Sequence, residues 1–463
     1  LVEGANLAEG TFINVVEMGV DNTGATDVTE QLNTIIAAHK KVYFPAGTYL
    51  ISDVVRIVSD SYLLGDMAII KGSSNANNGF YTYDYDNITI DGFEFTNLRR
   101  SIQVINTSNI TIRNIYGHDP YRNPPEFEDC YFITFVASKN VVIENLRWES
   151  ILENSDCMRF VEGCENVRVN NVSGYCYDDF IALAPNDRTT TNMHIKNFYF
   201  SNVKLEENNF CGVRIYVTDP ASSIDGVTFE NCTLRGDTRQ PVRICNSSDG
   251  QATGGTKTNY SNISFINCRF EGNSTTQMDC FRVQGAIIDK LSIVDCVFVT
   301  TNAETTSRIP FINIMESTCL NTYVRSSFYV TQTNLQEILK VDENSEIRNF
   351  VADSCYFPSR ATSTNTCAFE FLGNGTAKIV NNFVANLQYV VSPNANTTVW
   401  VENNQGGVYT ANPIGGFVIG CNNNPTTYDV TGTPIRIKGM LSSIVAPTSP
   451  VNGDYYIDMS TTP

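Results

Sequence analysis

The chain has 463 residues and a mass of 51.4 kDa, with 31 basic against 49 acidic side chains, a formal net charge of −18 and a pI near 4.6. Such a chain lacks the Lys and Arg surplus with which nucleic-acid binders neutralise phosphates, so no nucleic-acid partner is expected. No run approaches the roughly 20 apolar residues of a membrane span, so no membrane partner is expected either, and the 42% hydrophobic fraction excludes wholesale disorder.

The start at Leu1, without an initiator Met or a charged-then-apolar leader, reads as a processed or trimmed fragment. Residues 1–52 read as a strand and helix cap. Thr29-Glu-Gln-Leu-Asn-Thr-Ile-Ile-Ala-Ala38 has helical spacing, with Asp27 and Thr29 as candidate N-caps, and Lys41-Val-Tyr-Phe-Pro-Ala-Gly-Thr-Tyr-Leu50 follows as a strand and turn. From residue 53 to 350 a short cassette recurs: Asn87-Ile-Thr-Ile90, Asn109-Ile-Thr-Ile112, Asn140-Val-Val-Ile143, Asn166-Val-Arg-Val169, Asn192-Met-His-Ile195 and Asn262-Ile-Ser-Phe265. Successive starts lie 22, 31, 26 and 26 residues apart up to Asn192, and every cassette after the first leads into a second Asn, at 114, 145, 171, 197 and 267. Strict alternation bounded by Asn and Gly is a strand signal, and a period of about 20 to 50 residues is the mark of a solenoid. Short strands with no helical pattern between them predict an all-β fold, a right-handed parallel β-helix (solenoid) with an N-terminal capping helix over its first open coil. After Asn349 the cassette loosens. Residues 351–440 read as last coils and a more irregular C-terminal β region, and 441–463 as an extended tail.

Gly19-Val-Asp-Asn-Thr-Gly-Ala-Thr-Asp27, the helix and Val42-Tyr-Phe-Pro-Ala-Gly-Thr-Tyr49 resemble the opening of the pectate-lyase-like β-helix superfamily, an opening common in bacteriophage tailspikes. The tail Ala446-Pro-Thr-Ser-Pro-Val-Asn-Gly-Asp-Tyr-Tyr-Ile-Asp458 is similar to segments near tailspike and tail-fibre C-termini. That resemblance implies a homotrimer joined to the rest of a phage tail through a missing N-terminal part. It also implies a place on the virion tail after folding in the host cytoplasm. A secreted or periplasmic bacterial protein is the alternative.

The 14 cysteines contain no Cys-x-x-Cys pair, and His39, His118 and His194 are too scattered for zinc, so no metal and no cofactor are expected. Asn231-Cys232, Asn267-Cys268, Asp295-Cys296 and Ser354-Cys355 share one local context, which predicts free thiols packed at equivalent positions of a repeat. Sequons such as Asn87, Asn109 and Asn171 are explained by the preference of Asn for turns.

Two coils carry the chemistry. Aligning Asn154-Ser-Asp-Cys-Met-Arg-Phe160 with Tyr177-Asp-Asp-Phe-Ile-Ala-Leu183, Phe160 on Leu183, puts Asp156 opposite Asp179 with Asp178 beside them. Neighbouring coils stack about 4.8 Å apart, so three carboxylates crowd one patch and repulsion raises at least one pKa, as a general acid requires. These coils resemble the polygalacturonase-type glycoside hydrolases of family 28, in which an Asn-Thr-Asp coil precedes a Gly-Asp-Asp coil. The resemblance implies Asp178 as the general acid, with Asp156 and Asp179 positioning water for inversion, which needs carboxyl groups roughly 6.5 to 9.5 Å apart. Ser155 replaces the family's Thr and Tyr177 its Gly. The Gly-His-Gly coil is replaced by Cys211-Gly-Val-Arg-Ile215, and the Arg-x-Lys survives only as an Arg, at 214 or 243. Polygalacturonate itself is therefore not the expected substrate.

Arg159, Arg214, Arg243, Arg282 and Arg308 each sit beside or between apolar residues, which turns the guanidinium groups outward as candidate contacts for an anionic sugar. Asp279, three residues before Arg282, is an alternative carboxylate. The insertion Tyr116–Asp129 offers His118 and Tyr121 as sugar contacts and Glu126 and Glu128 as further carboxylates. The expected function is depolymerisation of a bacterial surface polysaccharide, capsule or O-antigen, by a tailspike. The alternatives are a cellular family 28-type glycosidase, a lyase acting on a uronate-containing glycan, and a non-catalytic adhesin.

Overall fold

The computed structural model describes residues 11–73, 78–121, 130–186, 191–208, 211–237, 239–247, 256–272, 279–300, 309–330, 336–358, 367–384, 389–394, 396–406, 409–411, 417–421 and 436–437. Glu126, Glu128, Arg308 and the tail 441–463 lie outside the described residues. The chain divides into two compact units, Leu1–Arg239 and Gln240–Pro463.

The fold is all-β with parallel strands, the arrangement expected of a parallel β-helix. In the first unit the bent strands Tyr62–Gly72, Asp86–Thr96, Ser108–His118, Lys139–Glu149, Glu165–Cys176 and His194–Asn208 pair in chain order, every pairing parallel. Between them run the short strands Val55–Arg56, Asn78–Tyr83, Arg100–Ile105, Cys130–Val136, Ser155–Val161, Ile181–Ala184 and Val213–Tyr216, also parallel and in chain order. Alternation puts Ile90, Ile112, Ile143, Val169 and Phe200 one above another in the interior, each at most 1% exposed. In the second unit Val242–Cys245, Phe281–Gln284, Ile309–Met315, Gln336–Val341 and Cys367–Phe371 stack the same way.

Asn makes the bends. Asn87, Asn109, Asn140, Asn166 and Asn197 all have φ between 54 and 60°, the left-handed region that Asn tolerates best among residues with a side chain. Their amides form a ladder: Nδ2 of Asn109, Asn140, Asn166 and Asn197 donates to Oδ1 of the preceding Asn at 3.0, 3.0, 3.1 and 3.0 Å. The partner of Asn166 is thus Asn197, a step of 31 residues, and not Asn192, which the cassette spacing selects. Asn192 is also left-handed at φ 57°, but its N–H bonds Asp219 instead. Asn140→Ala is expected to cost about 1–2 kcal/mol from backbone strain alone. Asn140→Gly, free of that strain, should cost less in urea unfolding. Equal losses in the two variants would mean that the amide ladder dominates.

The helix Thr29–Ala38 forms as expected and buries Leu32, Ile35 and Ile36. Its N-cap is Val28 rather than Asp27 or Thr29. Asp27 acts one step outside, its carboxylate accepting from the Thr29 N–H at 3.0 Å and the Thr29 hydroxyl at 2.6 Å. Asn33 meets the edge of the sheet directly: its Nδ2 donates to the Val54 carbonyl at 3.1 Å and its Oδ1 accepts the Arg56 N–H at 2.6 Å. A side-chain amide thereby supplies the hydrogen bonds a further strand would give, which blunts the open edge. The opening motif has an equally local cause. Asp21 accepts five bonds from Thr23, Ala25 and Thr26, which hold its carboxyl far below the usual range. Gly47 is required because a Cβ there would come within 2.5 Å of the Asn22 carbonyl.

The thirteen cysteines from Cys130 to Cys367 are all buried and form no disulfide. Cys164, Cys232, Cys268, Cys296 and Cys355 each follow a bend, and each thiol donates to the carbonyl two or three residues back, at 3.1 to 4.0 Å. Ser138 and Ser317 do the same at 2.9 and 2.7 Å, so the recurrent context is a small inward donor satisfying a bend carbonyl. Burial pushes the thiols of Cys164 and Cys355 up to about 12. A thiol reagent should therefore modify few groups in the native protein and nearly all 14 after denaturation. Several disulfides by mass spectrometry would contradict this.

Candidate functional site

The strand Ser155–Val161 lies between Cys130–Val136 and Ile181–Ala184, and the latter pairs with Val213–Tyr216. Met158 pairs with Ile181 and Phe160 with Leu183, the register expected from the sequence. Two residues before that register begins, the Asp179 N–H donates to Asp156 Oδ1 at 3.2 Å. Asp178 is carried on the turn just ahead of the strand, its own N–H tied to the Ser155 carbonyl at 3.2 Å. One carboxylate oxygen from each of Asp156, Asp178 and Asp179 lies within 4.8 Å of the other two. Asp156 and Asp179 are 2% and 0% exposed, whereas Asp178 is half-buried and is the member of the three that a ligand can reach.

Charge balance sets the protonation. Arg214 Nη2 lies 2.5 Å from Asp179 Oδ2, with the two side chains 10% and 0% exposed. Burial works against the Arg214 charge, but Asp179, Tyr216 and Asp178 outweigh it and hold the guanidinium protonated. Arg159 donates through Nη1 to Tyr131 Oη at 2.6 Å and through Nη2 to Tyr216 Oη at 3.3 Å. Each guanidinium also lies over a ring, Arg159 5.0 Å from the Tyr131 centroid and Arg214 4.8 Å from that of Tyr216. Three carboxyls facing two guanidinium groups reach neutrality when they share one proton. Asp156 is pushed well above the carboxylate range by burial and then by the charges of Asp178 and Asp179. Asp178 is raised by burial, with Arg214 and Arg159 pulling the other way. The arrangement can hold a proton near neutrality and present it through Asp178.

The expected inverting separation of 6.5 to 9.5 Å is not what the closest oxygens show. Rung spacing is the reason: groups on adjacent rungs, one of them hydrogen-bonded to the next rung's backbone, are held at about that spacing. Oxygens this close could also bracket a cation, as could those of Glu337 and Glu370 with the Cys367 thiol in the second unit.

Other sequence candidates are placed elsewhere. His118 ends the strand Ser108–His118, stacked on Tyr116 at 4.9 Å and bonded to Glu94 at 3.0 Å and Asp119 at 2.8 Å. These partners all lie outside the three-Asp cluster, and the two acids raise its pKa against the effect of burial. Tyr121 lies beyond that strand, its N–H on the Leu98 carbonyl at 3.2 Å. In the second unit Asp279 accepts from Gln240 Nε2 at 2.7 Å and Arg282 Nε at 2.9 Å, so both its oxygens hold structural partners and the reading of it as a second acid loses support. Arg243 pairs in register with Arg282 but points into a buried setting, 1% exposed. One of its nitrogens, Nη2, donates to Gln284 Oε1 at 2.9 Å, while Nε and Nη1 have no hydrogen-bond partner among the described residues.

Tyr131 and Tyr216, which orient both site arginines, are not found by reading the sequence. Tyr131 lies opposite Asp156, but a full coil of 25 positions, with the strand Lys139–Glu149 in it, separates them along the chain. Tyr216 stands two residues past Arg214, and this spacing was the one signal that could have found it.

Residues 12–238 match the family model described as rhamnogalacturonase A/epimerase, pectate lyase-like, which supports the pectate-lyase-like superfamily for that part of the chain. Among curated proteins the chain is similar to plasmin and fibronectin-binding protein A of Streptococcus pneumoniae, 24% identical over 237 residues. The match covers 42% of this chain and 31% of that protein, so the chain spans about a third of its relative's length. Among solved structures it is similar to the catalytic unit of a GH87 alpha-1,3-glucanase from Streptomyces thermodiastaticus, with 14% identity, 92% and 71% of the two chains covered and a TM-score of 0.43. It is also similar to the A-module of the mannuronan C-5 epimerase AlgE6 of Azotobacter vinelandii, with 15% identity, 84% and 97% covered and a TM-score of 0.44.

Proposed function

We propose that this chain binds and cleaves a polysaccharide at the Asp156–Asp178–Asp179 cluster. The observation that carries the reading is the meeting of three carboxyls from adjacent rungs within 4.8 Å, with burial raising Asp156 and Asp178. Asp178, the reachable member, protonates the leaving oxygen. Asp156 is the reserve for that proton, and Asp179 is held by Arg214 as the fixed negative charge that stabilises a developing oxocarbenium ion. The family description matched by residues 12–238, worded for glycan-processing enzymes, supports the same chemistry.

Incubation with a panel of bacterial capsules and O-antigens, with products weighed by mass spectrometry, tests the reading. Products heavier by one water mean hydrolysis. Products lacking that water mean a lyase. Inversion, the stereochemistry the family 28 resemblance implies, requires water positioned against the sugar by the pair Asp156 and Asp179. NMR of the first-formed anomer decides between this and direct attack by a carboxylate. A binding-only adhesin is favoured by the name of the curated relative, and release of reducing ends eliminates it.

The finer identity is a trimeric phage tailspike acting on a bacterial surface polysaccharide. It rests on the opening motif and on buried free thiols, which suit folding in a reducing cytoplasm. Tyr329, Tyr356 and Phe383 add an exposed aromatic column, 41, 41 and 38% exposed, of the kind that a second copy covers. Light scattering should give three times the 51.4 kDa of one chain. A monomer mass at micromolar concentration sinks the tailspike reading and leaves the cluster's chemistry standing.

A further inference from the structure

We infer that the second unit carries a glycan-binding groove of its own, about 350 Å³ in volume and lined by Asn262, Ser264, Lys290, Ser292, Tyr323 and Asn349, which holds a short uncharged stretch of sugar chain through its hydroxyl groups. This inference rests on the polysaccharide reading above and adds a site that the three-Asp cluster does not include.

The groove follows four consecutive rungs. Ser264 pairs with Ser292, Ser292 with Tyr323 and Tyr323 with Val351, so their outward side chains form one wall. The chain bends beside them at Asn262, Lys290 and Asn349, with φ of 53, 63 and 52°. Leu291 and Thr322, both buried, form the floor at the bend. In the first unit the equivalent polar column is consumed by Asn-to-Asn bonds from rung to rung. Here Lys290 interrupts the column. The amide of Asn321 turns to Asp289 at 2.7 Å, that of Asn349 reaches Asn321 at 3.2 Å, and the exposed Lys290 makes no ion pair among the described residues.

The chemistry on offer is two seryl hydroxyls, side-chain amides, one ammonium donor and one half-buried tyrosine ring. Converging neutral donors and acceptors beside an aromatic face suit a hydroxyl-rich ring with apolar C–H faces. The rungs repeat about every 4.8 Å, a distance comparable to the advance of one pyranose unit, so the groove repeats in step with a sugar chain. Lys290 and Arg325 are outnumbered by Asp289, Asp295 and Asp353, Arg325 being paired with Asp295 at 2.7 Å and Asp353 lying 3.5 Å from Tyr323 Oη, so there is no net positive field and the ligand is uncharged.

The test uses the full chain carrying Asp178→Asn, titrated calorimetrically with β-1,4-linked glucose and N-acetylglucosamine trimers, maltotriose and, as the charged comparison, trigalacturonate. At least one uncharged trimer should bind with Kd on the order of 1 mM or tighter. Tyr323→Ala and Ser292→Trp, the latter filling the groove, should each weaken that binding about tenfold or more without changing the melting temperature. No binding by any uncharged trimer, binding insensitive to both substitutions, or binding of trigalacturonate alone overturns the groove. Failure of the catalytic reading shows separately, as a lack of products from the unsubstituted chain, and leaves this titration unaffected.

Discussion

Asp178→Asn should lower polysaccharide turnover by roughly 10² to 10⁴, the usual contribution of general acid–base catalysis. Asn keeps the shape of the carboxyl and the Asp178 N–H bond to Ser155, so polysaccharide binding should persist. Asp156→Asn should also impair turnover, because it removes the group that shares the proton. Asp279→Asn should do far less, since that carboxylate is occupied by Gln240 and Arg282. Stability provides an independent check. Asp156 and Asp178 are both raised on folding, so the native chain holds more protons than the unfolded chain between the ordinary carboxylate range and the raised values. Their contribution to stability is therefore full below that window and is lost as pH rises through it. The Asn variants carry no such titration, and their stability should fall less over the same rise in pH. If Asp178→Asn and Asp156→Asn both retain full turnover, the site lies elsewhere, with the insertion bearing Glu126 and Glu128 next in line.

Arg214→Met should destabilise the protein by about 3–5 kcal/mol, because it leaves the Asp179 carboxylate buried without its cation. Urea unfolding of the variant measures the loss. Asp179→Asn in the same chain should recover most of it, since a buried pair replaced on both sides is tolerated far better than one broken on one side. No recovery in the double variant would mean that Arg214 stabilises chiefly by lying over Tyr216 and not by pairing with Asp179. Arg214→Met should also raise Asp156 and Asp178 further, because Arg214 is among the charges that lower both. The activity remaining in this variant should then shift its pH dependence upward.

Alternation, the left-handed Asn and the small donor after each bend are local features, and each was legible in the sequence. They gave the parallel coils, the helix Thr29–Ala38, the free thiols and the register that sets Asp156 opposite Asp179. A residue's own backbone preference fixes such features, so they need no knowledge of what lies on the next rung. The misplaced partner of Asn166 marks the boundary. Asn192 and Asn197 both adopt the left-handed bend, and only the hydrogen bond from Asn197 to Asn166 selects between them. The same holds within the candidate site. Asp178 and Asp179 are neighbours in sequence, yet one is half-buried and raised while the other is sealed against Arg214. Tyr131 and Tyr216 reach Arg159 from opposite sides across the stack. These contacts depend on how many residues each insertion places between rungs and on which charges share a buried volume. Spacing along the chain carries neither quantity, so the tertiary structure alone decided them.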